Sequence, residues 1–203
     1  MSEAILAAFS TVARPLILKF FPPNSCIAST RIALECLRRF GFTGEGLSVE
    51  FVCEFAERGT AYVGGLRPES EREARRTAKS FTRLKDPSGE GADMHVVAVV
   101  SAPGGRWLID ASFDQVGAGR WPVPPEPLIV PIPANLDRLE IHLDARIELA
   151  DGVRAKVQYR SRPERDFEGT PAWELDHITP LISLICRCME EVLALGAKGR
   201  PCQ

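Results

Sequence analysis

No charge of either sign dominates this chain. Its 25 lysines and arginines stand against 27 aspartates and glutamates, a formal net charge of -2, so no overall field draws it toward nucleic acid or an anionic membrane. The most basic stretch, Arg67 to Arg83, is interleaved with Glu69, Glu71 and Glu73 and reads as a solvated helix face, not a phosphate-binding stripe. Long apolar runs are missing as well: no window of about eighteen residues is free of charge, so no membrane span is expected. The first residues carry Glu3, no basic n-region, and an apolar run split at Arg14-Pro15, which is not the pattern of a secretory leader. The six cysteines, at 26, 36, 53, 186, 188 and 202, are too sparse in 203 residues for a disulfide scaffold and suit a reducing cytoplasm. Internal repeats and low-complexity tracts are also lacking.

What is present is the composition of a folded globular protein, 45% hydrophobic and 26% charged, with a length that fits one domain. Glu3 to Val12 reads as a short helix that should stop at Arg14-Pro15, because a residue before proline is pushed out of helical geometry. A second helix is expected from Cys26 to Phe40. Asn24 and Ser25 offer N-cap side chains ahead of it, and Gly41 stands in the C-terminal glycine position. Its broad apolar surface marks it as the central helix. Ser48 to Phe55 alternates, with Val49, Phe51, Cys53 and Phe55 on one face and Glu50 and Glu54 on the other, as a half-buried strand does. Residues 69–84 look like an exposed helix and 85–93 like a loop.

Met94 to Val100 is β-branched and continuous, which predicts a strand buried on both faces. Ala102-Pro103-Gly104-Gly105 should turn the chain, and Arg106 to Asp110 should pair back as a hairpin. The segment 121–133 holds six prolines and cannot be a central strand. Residues 146–159 alternate about the turn dipeptide Asp151-Gly152. A closing helix is expected over 179–195, and the tail 196–203 should be partly disordered.

The chemistry-bearing residues follow from this layout. A thiolate nucleophile is favoured at a helix N-terminus, where unpaired amides and the positive dipole end stabilise the anion, and Cys26 stands there. Its backbone N–H and the side-chain amide of Asn24 are candidate donors to an oxyanion. Such a nucleophile needs a base, and the base an orienting acceptor. His95 opens the buried strand and Asp110 closes the strand paired to it, so a hairpin turning at Pro103-Gly104 brings the two to the same end of neighbouring strands. Gln115 and Asp114 follow Asp110 closely; Gln115 is a candidate for oxyanion or substrate contact, although turn residues explain both equally well. Taken singly, Cys26 reads as a buried apolar thiol, His95 as a core or surface residue and Asp110 as a turn cap. It is their order and placement together that point to catalysis.

Asn24-Ser25-Cys26 at the head of an apolar helix, then Met94-His95-Val96-Val97, then Trp107-Leu108-Ile109-Asp110-Ala111-Ser112, resembles the transglutaminase-like branch of the papain-type cysteine enzymes, the superfamily of transglutaminases, arylamine N-acetyltransferases and bacterial peptide-processing enzymes. The resemblance covers roughly residues 20–115. It implies an α+β fold in which a central helix, with the cysteine at its N-terminus, packs on an antiparallel sheet, here with an additional C-terminal hairpin and helix: a single domain over 1–203 with an elaboration over 116–203. It implies Cys26 as nucleophile, His95 as general base and Asp110 as orienting acid, without metal or organic cofactor. The tryptophan that often accompanies the cysteine in transglutaminases is absent, as are the glycine-rich residues that precede it in the acetyltransferases. What remains implied is hydrolysis or acyl transfer at an amide, peptide or thioester carbonyl, with a peptide, a protein or a small acyl or amine compound as substrate.

Two other histidines remain. His177 with Cys186 and Cys188 lacks the paired spacing of a structural zinc site, so these read as ordinary thiols. His142 lies in a mixed-charge alternating stretch and reads as a solvent-facing strand residue. The competing expectation from another class is a non-catalytic transglutaminase-like module that binds a peptide or protein on the same scaffold. A third is a structural or assembly protein, in which replacing Cys26 would alter stability alone.

Overall fold

The alternation that follows Gly41 makes one long strand, and that strand organises the sheet. In the computed structural model, which describes residues 1–23, 25–55, 59–84, 94–116, 126–137, 141–148, 152–163, 166–174 and 178–198, this strand is β1 (Thr43–Phe55), beginning well before Ser48. The others are β2 (Thr60–Gly64), β3 (Ser80–Arg83), β4 (His95–Ala102), β5 (Gly105–Asp110), β6 (Leu128–Ile132), β7 (His142–Glu148) and β8 (Arg154–Ser161). They form one sheet in the order β3-β2-β1-β4-β5-β6, with β8 also on β1 and β7 on β8. Every pairing is antiparallel except β2 with β3. Among the described residues the helices are α1 (Ser2–Ile17), α2 (Cys26–Arg39), α3 (Pro68–Thr77) and α4 (Thr179–Lys198), giving a mixed α/β protein with a mostly antiparallel sheet, compatible with the α+β expectation. None of these helices is long and apolar enough to cross a membrane.

Val49 pairs with His95 of β4 and with Ser161 of β8, so those strands flank β1 on opposite sides. On the β4 side β2 takes over beyond Val49, pairing with Phe51 to Phe55. The handover falls at Gly65, which adopts φ +64 beside His95. A Cβ at Gly65 would collide with the Val49 carbonyl oxygen and lie 3.1 Å from the His95 amide nitrogen, so only glycine lets the chain leave β2 where β4 begins.

The two faces of the sheet bury different cores. One is covered by α1, α2 and α4, packing Phe9, Ile32, Leu37 and Ile185 against Ala98, Val100 and Ile109. On the other, Phe51, Val97, Leu108, Ile132, Leu143, Val157 and Tyr159 meet in one cluster, so the sheet curls around this face with its own strands. α2 is held between sheet and helices, as the breadth of its apolar surface predicts. Its C-terminus closes with Gly41 at φ +85, the Gly41 N–H donating to the Arg38 carbonyl and the Phe42 N–H to the Leu37 carbonyl.

Several expectations need correction. α1 does not stop before Arg14-Pro15 but runs through to Ile17. A proline inside a helix costs about 3 kcal/mol; here Arg14 and Ile17, neither with any exposed surface, lie in the core and offset it. The expected helix 69–84 ends at Thr77, because the Lys79 and Ser80 amides bond to the Gly59 carbonyl and the chain continues as β3, parallel to β2. Among the described side chains of α3 only Ala74 is buried, so little apolar packing opposes that change. β2 itself had no sequence expectation. Glu50 lies on the expected polar face of β1, yet only 3% of it is exposed, because the Arg67 amide and guanidinium and the Ser70 hydroxyl converge on its carboxylate. Ser25 is the N-cap of α2, but its hydroxyl donates to the Pro22 carbonyl and makes no cap bond.

The proline-rich stretch supplies β6, with Pro131 opposite Trp107 at the end of the main strand path, in keeping with its exclusion from a central position. β7 and β8 pair with Glu148 opposite Arg154, and α4 extends past Leu195 to Lys198. The 85–93 loop, residues 121–125, Asp151 and residues 199–203 lie outside the described residues.

Gly65→Ala is expected to destabilise the protein by roughly 2–4 kcal/mol, from the left-handed backbone and the collision with Val49 together. Guanidinium unfolding at constant pH measures this; an unchanged midpoint would show that β2 and β4 can separate without cost.

Candidate active site

The β4–β5 hairpin turns through Pro103-Gly104 with Ala102 opposite Gly105, and this short connection fixes the register at Ala98 opposite Ile109. Strand alternation then places His95 and Asp110 on one face as diagonal neighbours, within reach of a hydrogen bond. His95 Nε2 lies 2.8 Å from Asp110 Oδ2. The same oxygen accepts the Tyr159 hydroxyl at 3.0 Å, while Oδ1 accepts the Ser112 amide at 3.1 Å and the Ser112 hydroxyl at 3.3 Å. The Phe51 ring lies against the imidazole, centroids 4.8 Å apart, and against Tyr159 at 5.3 Å.

Both members of this pair are enclosed, His95 with 1% and Asp110 with none of its surface exposed. Burial alone would drive each toward its neutral form. For His95, burial lowers the pKa, but the charge and hydrogen bond of Asp110, followed by a hydrogen bond and charge from Cys26, outweigh it and raise the imidazole from 6.5 to about 10. For Asp110, burial is likewise overcome, by the His95 charge and hydrogen bond and by the bonds from Ser112 and Tyr159, so the carboxyl is held below its ordinary value. Burial and the Asp110 charge push Tyr159 well above the usual phenol range, so it stays a donor.

Cys26 is the first residue of α2 and 3% exposed. It packs with Ile27, Val96 and Phe167, and Met94 and Trp173 lie against the same cluster. Its thiol faces the Met94 carbonyl at 3.9 Å, one residue before His95, and the Thr30 hydroxyl bonds to the Val96 carbonyl at 2.9 Å, so the first turns of α2 run along the start of β4. Phe167 and Trp173 stack edge to face over Gly46, with centroids 4.9 Å apart. A Cβ at Gly46 would sit 2.7–2.9 Å from their ring atoms.

Cys26, His95 and Asp110 thus come together in one place. Asp110 engages Nε2, which leaves Nδ1 as the other ring nitrogen. Gln115, 5% exposed, brings its side-chain amide to 3.1 Å from Nδ1 and 3.4 Å from the Ser112 hydroxyl. It donates to Nδ1 when the ring is neutral and must present its oxygen when the ring is charged. Asn24 and His177 lie outside the described residues. His142 is exposed at the start of β7, 3.7 Å from Asp144.

No family model, curated protein or solved structure matches this chain.

Three participants had no sequence expectation. Tyr159 reaches Asp110 only because β8 pairs with β1, placing it opposite Phe51, and nothing local announces that pairing. Ser112 stands two residues after Asp110, and this Asp-x-Ser spacing is the signature of a side-chain-to-backbone turn that could have marked it. Arg14, read as a helix end, is buried: it bonds to Asp114 at 2.6 Å, to the Ser29 hydroxyl at 3.0 Å and to the Pro23 carbonyl at 2.5 Å. It thereby joins α1, the approach to Cys26 and the turn that carries Gln115. Among the described residues no cluster of three His, Cys, Asp or Glu side chains could hold a metal ion.

The raised His95 pKa has a definite sign. Its stabilising contribution is complete below the unfolded value of 6.5 and is lost as pH rises through about 10. The His95 ring resonances in NMR should therefore keep their charged-form shifts through pH 8 and move only as pH approaches 10; titration near 6.5 would show that burial wins over Asp110. Tyr159→Phe, which removes one donor from a buried carboxylate, should cost about 2 kcal/mol in denaturant unfolding at pH 7. No loss would mean that Asp110 does not depend on that bond.

Proposed function

We propose that this protein is a cysteine-dependent hydrolase or acyltransferase of transglutaminase-like architecture, acting on an amide, peptide or thioester carbonyl through an acyl-enzyme on Cys26. The observation that carries the reading is the single imidazole that interacts with both the Asp110 carboxylate and the Cys26 sulfur. A thiol at the start of a helix is a weak signal alone, and so is a buried His–Asp pair. The two meeting at one ring is the arrangement nucleophilic catalysis requires.

In this reading the proton already rests on His95 Nδ1, and the Cys26 sulfur attacks the carbonyl carbon as the thiolate and forms the C–S bond. The proton then moves from Nδ1 to the departing amine or thiol, leaving the acyl-enzyme. Water or an amine next gives a proton to Nδ1 and attacks the same carbon, and the C–S bond breaks to return the thiolate, which with the imidazolium restores the starting pair. Asp110 keeps the Nε2 proton in place throughout, with Tyr159 and Ser112 holding the carboxylate. Cys26 is 3% exposed and packs with Phe167, with Met94 against the same cluster, so in this reading the substrate presents its reactive carbonyl on a group slender enough to reach an enclosed sulfur.

Iodoacetamide labelling of each cysteine across pH, read by peptide mass spectrometry, tests this. Cys26 should label at least about tenfold faster than the buried Cys36 and Cys53 at pH 7, and His95→Ala should abolish the difference. A Cys26 that labels no faster than those two, or one indifferent to His95, would leave the scaffold as a binding module.

A further inference from the structure

A second pair of thiols takes no part in the chemistry proposed above. Cys36, on the C-terminal half of α2, and Cys186, within α4, meet in the seam between these helices. The Cys36 thiol donates to the Ile182 carbonyl at 3.9 Å, and the Cys186 thiol donates to the Cys36 carbonyl at 3.9 Å. Ile182 is one helical turn before Cys186, so the Cys36 sulfur rests on the turn from which Cys186 projects. Each sulfur therefore rests on the backbone of the other's helix, which sets the two thiols side by side in the seam.

We propose that Cys36 and Cys186 form a redox-modifiable dithiol that closes to a disulfide and pins α2 to α4. The pair is chemically unequal. Cys36 has no exposed surface and Cys186 has 6%. The hydrogen bond from Cys36, opposed by burial and aided by the Arg39 guanidinium, lowers the Cys186 pKa. The hydrogen bond with Cys186, then burial, pushes Cys36 far up. Cys186 is thus the attacking thiol and Cys36 the resolving one.

Arg39, whose guanidinium also donates to the Ser183 hydroxyl at 3.2 Å, lines an open cleft of about 630 Å³ together with Arg31, Arg38 and Ile182. Among the described residues that line it, Arg31, Arg38 and Arg39 stand with Glu35 and Glu174, and these guanidinium groups suit a carboxylate-bearing small-molecule disulfide as oxidant. The Cys186 thiolate attacks one sulfur of that disulfide, its S–S bond breaks, and one reagent thiol departs. The Cys36 sulfur, giving up its proton, then attacks Cys186 in the mixed disulfide and expels the second. Two protein S–H bonds become one S–S bond, and the reagent leaves as two thiols carrying the two electrons and two protons.

The test treats the full-length protein with glutathione disulfide, blocks remaining thiols with N-ethylmaleimide and maps non-reduced peptides by mass spectrometry. A Cys36–Cys186 linked peptide is expected, with a melting temperature raised by about 10 °C that falls back on reduction. Cys36→Ser should instead hold a stable glutathione adduct on Cys186, which marks the order of attack. Linkage of Cys186 to Cys188 or Cys202, or full alkylation of both Cys36 and Cys186 after treatment, would overturn the proposal. Mapping of the unsubstituted protein decides this even if the variant fails to fold.

Discussion

A carboxylate with no access to water sits at the end of β5, and much of the surrounding structure answers its charge. Desolvating Asp110 would cost several kcal/mol without compensation. Four bonds provide it: His95 from β4, the Tyr159 hydroxyl from β8, and the amide and hydroxyl of Ser112 from the turn beyond. These donors come from segments far apart in sequence, so the carboxylate ties the β4–β5 hairpin to the far side of β1. Removing any one leaves the charge short of a partner, and this makes the site a constraint on folding as well as on chemistry.

The His95 side of the pair shows why the magnitudes matter. Burial by itself would leave a neutral imidazole, which could accept a proton but would leave the Asp110 charge without a counter-ion. The adjacent carboxylate reverses the outcome and the Cys26 sulfur adds to it. The low local dielectric strengthens the attraction between the charged ring and the Asp110 carboxylate relative to water. The same enclosure that raises the cost of the charges therefore sharpens their effect on one another.

How much of this was legible in the sequence depended on the distance over which each feature is decided. The hairpin joining His95 to Asp110 was readable because a β-branched run leads into a Pro-Gly turn with a short apolar segment beyond it, and the α2 limits because Cys26 follows a proline break and Gly41 closes the helix. Both are local. The run of α1 through Pro15 was not, because the burial of Arg14 and Ile17 that offsets the proline comes from α2 and the turn after β5. Nor was β3, whose place is set by pairing with β2 against the helix-forming composition of its own segment. Tyr159 illustrates the limit most clearly. Its strand was expected, yet its role arises from the register of β8 on β1, where a slip of one residue would turn the hydroxyl away from Asp110.

The position of the sulfur rests in turn on α2, which different contacts hold along its length. At its head Cys26 and Ile27 are packed against Val96 and Phe167. Ser29 is bonded to the buried Arg14 and Thr30 to the Val96 carbonyl. Leu34 lies over Gly44, where a Cβ would fall 3.1 Å from it, and Cys36 is engaged by α4. A rotation of the helix would break a hydrogen bond, a buried charge contact and a close packing contact together, and no single relaxation restores all three. For the proposed nucleophile this matters, because displacements of about 1 Å at a reacting atom are enough to lose much of an intramolecular rate advantage. Holding a short helix at successive turns by unlike interactions keeps the sulfur beside His95, even though the N-terminal end of α2 has no side-chain cap of its own from Ser25.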